Sequence, residues 1–457
     1  MTLPAKTPDD YSFAAELADA AVLVIDDEPG MRNFLSKTLS TRCARVDVAA
    51  DTRQATDLLD RNAYDVIVLD NVMPGTSGVE WLAEQQRIGL FSDAILMTAY
   101  ADLDTAIAAL RAGASDFLMK PFRANQILNA LSKSVARASL RRQNSVLQNE
   151  LETGPDLLRH RDALLGGSAE IEATRGAIER AAATPAHVVI RGETGSGKQI
   201  AARMLHGRSP RAGHPFLWVQ CFGLDAESFQ LRLFGRLGAE APDPSSAAGR
   251  EGILLNATGG TLFMEDVEVL SSACQNLLVE LLTAGRFQPV GASRSVPLNV
   301  RIICSSTRPL SDAVEAGTFR TDLYYLLNVV EIVLPPLRER TEDILHLAEF
   351  FSENLSQRMG IAPLELTPAV RRRLLAHDWP GNVMELRNTV ERGLIHGDFE
   401  TALASAPGSD TAESLASVEQ RHILAVLEAC GGNRAEAARK LGVARKTIDR
   451  KCAAWGL

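Results

Sequence analysis

At 457 residues the chain is long enough for about three domains rather than one core. With 46% apolar and 23% charged residues, and no apolar run near the ~20 residues of a membrane span, it reads as an ordinary soluble protein and excludes bilayer insertion. A net charge of −9 disfavours non-specific adhesion to nucleic acid, so any DNA contact demands a local basic patch. The N-terminus, MTLPAKTPDDYSFAAELADA, is neither a secretory signal nor an Arg-rich transit peptide, which points to the cytoplasm. Cys43, Cys221, Cys274, Cys304, Cys430 and Cys452 form no CxxC pair and the histidines no HExxH, so we expect reduced thiols and no zinc framework.

In chain order the patterning suggests an N-terminal extension (1–20), a first α/β block (21–137), a linker helix (138–164), a second α/β block (165–337) with a helical stretch after it (338–398), a flexible linker (399–417) and a helical C-terminal segment (418–457). In the first block AVLVID, RVDVA, DVIVLD, DAILMT and SDFLM alternate with amphipathic stretches, as five strands of a parallel doubly wound sheet do. The linker holds Leu140, Leu147 and Leu151 near heptad spacing, too few to specify a coiled coil.

Ligands of open parallel sheets sit beyond the carboxyl ends of the strands. In the first block those positions hold Asp26, Asp27, Asp70, Thr98 and Lys120. Any one of them alone is better explained as capping a strand; five at once point to a site. Three acids demand a cation, and an all-oxygen set with room for water suits Mg²⁺. Asp70 is then the nucleophile that takes up a phosphoryl group. The segments IDDEPGMR, LDNVMPGTSGVE, ILMTAYADLDTA and FLMKPF resemble a two-component receiver domain over nearly the whole block. The resemblance implies that Asp27 and Asp70 bind Mg²⁺ with the Val72 carbonyl while Asp26 acts largely through water. It also implies that a sensor histidine kinase supplies the phosphoryl group, that Thr98 and Lys120 hold its oxygens, that Tyr100 is an aromatic switch, and that the Lys120–Pro121 peptide is cis.

In the second block the strand HVVIR runs into Gly192, Glu193, Thr194, Gly195, Ser196, Gly197 and Lys198, followed by the helical IAARMLHG. This G-x-x-x-x-G-K between strand and helix is a phosphate-binding loop, with backbone N–H groups and Lys198 directed at a nucleotide such as ATP. Gln199 stands where a hydroxyl normally touches Mg²⁺, which shifts metal binding onto Glu265 and Asp266 after the strand TLFM. SPRAGHPFLWVQC, RLFG, GGTLFMEDV, FRTDLYYLLNVVEIVLPPLRER and WPGNVMELRN resemble the AAA+ domain of NtrC-class activators, which hydrolyse ATP in rings to remodel RNA polymerase carrying sigma-54.

The departures fall on positions that carry chemistry. The family's Asp-then-Glu is Glu265 then Asp266, each displaced by on the order of 1 Å, a misplacement that can cost about 10²-fold in rate. The family asparagine is Gln220, and the sensor asparagine is Thr307. Arg320 stands at one arginine-finger position and Leu326 at the other, where an arginine is worth roughly 10³ to 10⁵ in rate. Met384 replaces the arginine of the second sensor, and residues 236–250, RLGAEAPDPSSAAGR, lack the aromatic and threonine of GAFTGA. Together these imply nucleotide binding without efficient remodelling.

From Val418 to Leu457 there are eight Lys or Arg against four Asp or Glu. Gly431 and Gly432 stop one helix, Asn433 caps the next, and Gly442 with Val443 turns into a last helix in which Ile448, Cys452 and Trp455 share a packing face. That leaves Arg445, Lys446, Thr447, Arg450 and Lys451 for phosphates and base edges, although charge runs are more often solvated faces. The segment resembles a Fis-type helix-turn-helix, which implies promoter DNA and a homodimer or higher oligomer.

The fold expected is therefore multidomain: a doubly wound α/β receiver, an α/β P-loop AAA+ domain with a helical subdomain, and an all-α helix-turn-helix. Three functions fit: a DNA-binding response regulator acting with another polymerase form or as a repressor, an ATP-hydrolysing sigma-54-dependent activator, and a signalling scaffold that does not bind DNA.

Overall fold

A computed structural model describes residues 17–90, 92–99, 103–152, 164–236, 252–397 and 433–454, with single positions 399, 423, 426, 427 and 430. The chain divides into two units, one ending at Asp343 and the other starting at Ile344. Among the described residues no helix is long and apolar enough to cross a membrane, and all six cysteines are free thiols.

The first unit holds two parallel sheets. In the first, β1 (Ala21–Ile25), β2 (Arg45–Ala49), β3 (Val66–Asp70), β4 (Asp93–Thr98) and β5 (Ala114–Met119) lie in the order β2-β1-β3-β4-β5. The order reverses beside β1, the switch point at which doubly wound sheets open a crevice. Between them run α1 (Pro29–Leu39), α2 (Thr52–Arg61), α3 (Gly78–Ile88) and α4 (Leu103–Arg111). Local chemistry sets their ends. Asp51 caps α2 by accepting from the Gln54 amide, and Ser77 with Glu80 forms a complete capping box on α3, which stops at Gly89 with φ 108°. Strand β3 is buried along its whole length, so it reads as a continuous apolar run. Two cores flank the sheet, one around Leu23, Ile67, Leu69 and Trp81, the other around Val22, Val68, Leu35 and Ile127.

Ile127 belongs to α5 (Ala124–Glu152), a continuous 29-residue helix. A linker helix expected at 138 therefore begins fourteen residues earlier, inside the first core, because Ile127, Leu128 and Leu131 bury one face of its first turns against the sheet.

The second sheet contains β6 (Val188–Arg191), β7 (Phe216–Gln220), β8 (Thr261–Glu265), β11 (Arg301–Ser306) and β12 (Val330–Val333), all parallel, in the order β12-β6-β11-β8-β7. The short β9 (Arg286–Phe287) and β10 (Val296–Pro297) form a separate antiparallel hairpin. Helices α6 (Ala169–Ala182), α7 (Lys198–Gly207), α8 (Ala226–Phe234), α9 (Ser272–Ala284), α10 (Leu310–Glu315) and α11 (Thr321–Leu327) complete the block. Asp343 fastens its start, accepting from the amides of Gly167 and Ser168 and from the Ser168 hydroxyl.

Beginning at Thr341, α12 (Thr341–Met359) leads into the second unit, which continues with α13 (Pro368–Ala376), α14 (Asn382–His396), α15 (Arg434–Lys440) and α16 (Arg445–Ala454). Trp379 is fully buried and donates its indole N–H to the Leu374 carbonyl. Asn433 caps α15 through the amides of Ala435 and Glu436, and Gly442 with φ 66° makes the turn into α16. Ile448 and Cys452 are buried with Ile423 and Ala438. Trp455 and most of the helix expected before Gly431 lie outside the described residues.

Burial also writes a pH dependence into the first unit. His206, at the end of α7, bonds Thr261 Oγ1 at 2.9 Å, and burial pushes its ring down to about 4 from the ordinary 6.5. The neutral ring is favoured by folding, so this stability is complete above pH 6.5 and is lost as pH falls toward 4, by up to about 3 kcal/mol. Urea midpoints measured across that window should fall, and His206→Gln should flatten that part of the profile.

Candidate functional sites

In the first sheet the parallel registers pair Ile25 with Leu69, Asp70 with Met97, and Thr98 with Met119. The residues that follow these positions therefore emerge at one edge. Lys120 Nζ lies 2.8 Å from Asp26 Oδ2 and 2.9 Å from Asp70 Oδ2. The free oxygen of Asp26 accepts from the Glu28 amide at 2.8 Å, and Asp70 Oδ1 from the Val72 amide at 3.4 Å. Oxygens of Asp26, Asp27 and Asp70 all lie within 4.8 Å of one another, close enough to share one cation.

Burial pushes the Asp70 carboxyl above its usual range, against the pull of Lys120. Burial lowers the Lys120 ammonium, but its bonds to Asp26 and Asp70 outweigh that and hold it above its usual value. Three carboxylates against one ammonium leave an excess negative charge that a divalent ion would neutralise. Thr98 is buried at the same edge, Val72 is exposed beside Asp70, and the Lys120–Pro121 peptide is cis. Tyr100 lies outside the described residues.

At the second sheet the loop from Gly192 to Lys198 joins β6 to α7, with left-handed Gly195 (φ 76°) and Gly197 (φ 106°) turning the backbone. Gly192 has no room for a side chain, since a Cβ there would lie 2.7 Å from Ser196 Oγ. Lys198 donates to the Gly192 carbonyl at 3.1 Å and lies 3.5 Å from Asp266 Oδ1. Beside the loop a cavity of about 500 Å³ is bounded by Thr174, Gly192, Thr307 and Leu334 together with the Glu193–Arg338 ion pair.

Here the carboxylates are already engaged by the protein. Glu265 Oε2 accepts from the Trp218 indole at 3.1 Å. Asp266 sits in the left-handed region (φ 54°), and its amide donates to Ser305 Oγ at 3.1 Å. Burial raises both carboxyls, helped at Glu265 by the charge of Asp266. Gln220, paired in register with Glu265, is exposed. Gln199 Nε2 is buried with no hydrogen-bond partner among the described residues. Arg320 is spent on its own surface, bonded to Asp322 and Asn276, while Leu326 is half-buried. Met384 belongs to the second unit, where it is exposed on α14. Of residues 236–250 only Arg236 lies within the described part.

Glu268 escaped the reading of the sequence. A 3₁₀ turn over Val267–Val269 folds it back, so that its Oε1 accepts from both the amide and the hydroxyl of Thr307, each at 2.7 Å. It is 8% exposed, and its Oε2 has no partner among the described residues. Three acids in four positions after an apolar strand were visible in MEDVEV; the contact across 39 residues was not.

On α16, Arg445, Lys446 and Arg450 are exposed, whereas Thr447 and Lys451 are half-buried. Asp449, also missed, lies among them, 3.7 Å from Arg445 and 3.6 Å from Arg434.

The family model for the response regulator receiver domain matches residues 22–132, that for the sigma-54 interaction domain 164–333, that for the AAA+ ATPase lid domain 338–405, and that for the bacterial regulatory protein, Fis family, 414–455. The chain is 34% identical over 441 residues to the transcriptional regulatory protein ZraR of Klebsiella oxytoca, covering 93% of this chain and 97% of ZraR. It is 35% identical to the C4-dicarboxylate transport transcriptional regulatory protein DctD of Pseudomonas aeruginosa, covering 97% and 96%. It is 36% identical to the response regulator protein PilR of the same organism, covering 93% and 96%. A crystal structure of NtrX from Brucella abortus in complex with ADP superposes with a TM-score of 0.50 at 30% identity, covering 96% of this chain and all of that one.

The charge excess at the first site is directly measurable. Mg²⁺ should raise the melting temperature of the intact chain, with a stabilisation of about 2.7 kcal/mol at a hundred times Kd. Asp70→Asn should abolish the rise, and Lys120→Met should enlarge it, because the ammonium no longer competes for the same oxygens.

Proposed function

We propose that this chain, which belongs to the NtrC class of two-component response regulators, is a DNA-binding regulator that takes a phosphoryl group on Asp70 and uses its AAA+ domain as a nucleotide-binding assembly platform rather than a sigma-54 remodelling motor. A sensor histidine kinase supplies the phosphoryl group: Asp70 attacks phosphorus, the P–N bond of the phosphohistidine breaks, and the imidazole leaves. Asp26, Asp27 and Asp70 would hold Mg²⁺, which neutralises charge on the transferring oxygens. Lys120 and Thr98 stand at the same edge to receive those oxygens.

ATP binding is supported by the P-loop backbone, the placement of Lys198 and the adjoining cavity. In the second site Glu265 and Asp266, with Gln199 nearby, are the groups that would meet a magnesium nucleotide. The observation that carries the loss of turnover is that the groups needed at the γ-phosphate are tied to protein partners: Glu265 to Trp218 and Thr307 to Glu268. Arg320 pairs with Asp322 at the exposed surface of the domain. Such a domain would bind nucleotide, build a dimer or larger ring, and present α16 to promoter DNA. The polymerase partner is then a form other than sigma-54, or the protein represses.

The match to the sigma-54 interaction domain across residues 164–333 favours a second reading, an ATP-hydrolysing activator. Steady-state hydrolysis with and without an acyl-phosphate donor, against Lys198→Ala, decides between them. We expect ATP binding that Lys198→Ala abolishes, with turnover at the level of that variant; phosphorylation-stimulated turnover would establish the activator. Glu268→Gln should tighten ATP several-fold more than ADP, as titration calorimetry would read, since the charge of Glu268 already reaches Asp266 beside Lys198.

Asp449 opposes the phosphate backbone. Asp449→Ala should tighten DNA binding, and Arg450→Ala should weaken it with a salt slope smaller by about 1. No salt-dependent binding by the intact chain would point to the scaffold function instead.

A further inference from the structure

The hairpin of β9 and β10 carries a cation that finds its partners in the receiver. Arg294, in the turn between the two strands, is 8% exposed. Its Nε and Nη2 donate to Asp60 Oδ1 at 3.1 and 3.0 Å, and its Nη1 donates to Gln85 Oε1 at 2.6 Å. The amides of Ser293 and Arg294 both donate to the Ile88 carbonyl, at 3.2 and 3.1 Å. Asp60 lies on α2, and Gln85 and Ile88 on the last turn of α3. A guanidinium loses much of its hydration here, and among the described residues its side chain donates only to receiver oxygens. The backbone bonds add the unpaired carbonyl of a helix C-terminus, where a cation is favoured.

The opposite end of α3 sits on the phosphoryl-acceptor segment. The Gly78 amide donates to the Asn71 carbonyl at 3.0 Å, and the Val79 amide to Asn71 Oδ1 at 3.3 Å. At Gly78 a Cβ would lie 2.2 Å from the Asp70 carbonyl oxygen, so helix and acceptor backbone touch without slack. Eleven residues of capped helix, about 16 Å, separate this contact from Arg294.

The hairpin itself leads further into the AAA+ domain. The Val290 amide donates to the Gly235 carbonyl at 2.9 Å, Arg236 bridges Val290, and Phe287 packs on Phe234 with ring centroids 5.8 Å apart. These residues are the base of the segment that follows Arg236. Downstream of β10 the chain enters β11, which ends beside Thr307.

We propose that Arg294 is a latch by which the receiver holds the AAA+ hairpin through the far end of α3, and that a phosphoryl group on Asp70 competes with this latch. This rests on Asp70 as the phosphoryl site. Any shift of the Asp70–Asn71 backbone displaces α3, because the Gly78 contact cannot absorb it, and the displacement is felt at Gln85 and Ile88. The coupling is reciprocal: what phosphorylation does to the latch, loss of the latch does to phosphoryl binding.

The test is titration calorimetry of the full chain with beryllium trifluoride, a phosphoryl mimic, at saturating Mg²⁺. Arg294→Ala should bind it more tightly by at least 5-fold, within the 5- to 150-fold that allosteric couplings span. Asp60→Asn, made on the receiver side and half-exposed, should shift affinity in the same direction. The double variant should exceed neither single variant by more than twofold, since both remove one interaction. Affinities of both single variants within twofold of the wild type, or weaker, would overturn the latch while leaving Asp70 as the acceptor. Binding by Asp70→Asn equal to the wild type would overturn the acceptor assignment and the latch with it.

Discussion

A charge withdrawn from water has to be paired, and that requirement shapes the buried sites of the first unit. Lys120 meets it between Asp26 and Asp70, joining the ends of three strands of the first sheet. Lys198 meets it against Asp266 and the Gly192 carbonyl at the matching edge of the second. Arg294 meets it with Asp60 and Gln85.

The two strand-end sites obey the same rule with opposite results. In the receiver the carboxylates outnumber their one cation, and Asp27 remains exposed, so the site retains an appetite for positive charge. In the AAA+ domain two of the acids are met by neutral donors, an indole for Glu265 and the amide and hydroxyl of Thr307 for Glu268, while Asp266 faces Lys198. A carboxylate held in this way is costly to redirect, because moving it leaves a buried donor unpaired. Under the function we propose, binding and turnover separate on physical grounds. The backbone cradle of the P-loop needs only its glycines and the start of α7, whereas hydrolysis needs side chains free to reorganise around the γ-phosphate.

The helix α3 gives the receiver a reach that its acidic site alone lacks. It is capped at both ends and lies directly against the Asp70 backbone at Gly78, the geometry on which the proposed latch depends. Its C-terminal carbonyl is one of the orphans that every helix leaves, and the AAA+ hairpin supplies the donors.

Much of this was legible in the residues themselves. Five apolar runs with polar residues after them fixed the first sheet and its site, because strand period and strand-end chemistry are local properties of the chain. The glycines around Lys198, the capping by Asn433 and the left-handed Gly442 were equally readable, each set by a few neighbouring positions. What only the tertiary structure decided are the pairings that span long stretches of sequence: Glu268 with Thr307, Glu265 with Trp218, Arg294 with Asp60. The start of α5 belongs with them, since the core contacts of Ile127 and Leu131 outweigh any local boundary at 138. The reason is common to all four. Which side chain a buried donor meets depends on sheet register and on how layers stack, and neither leaves a periodic signal along the chain.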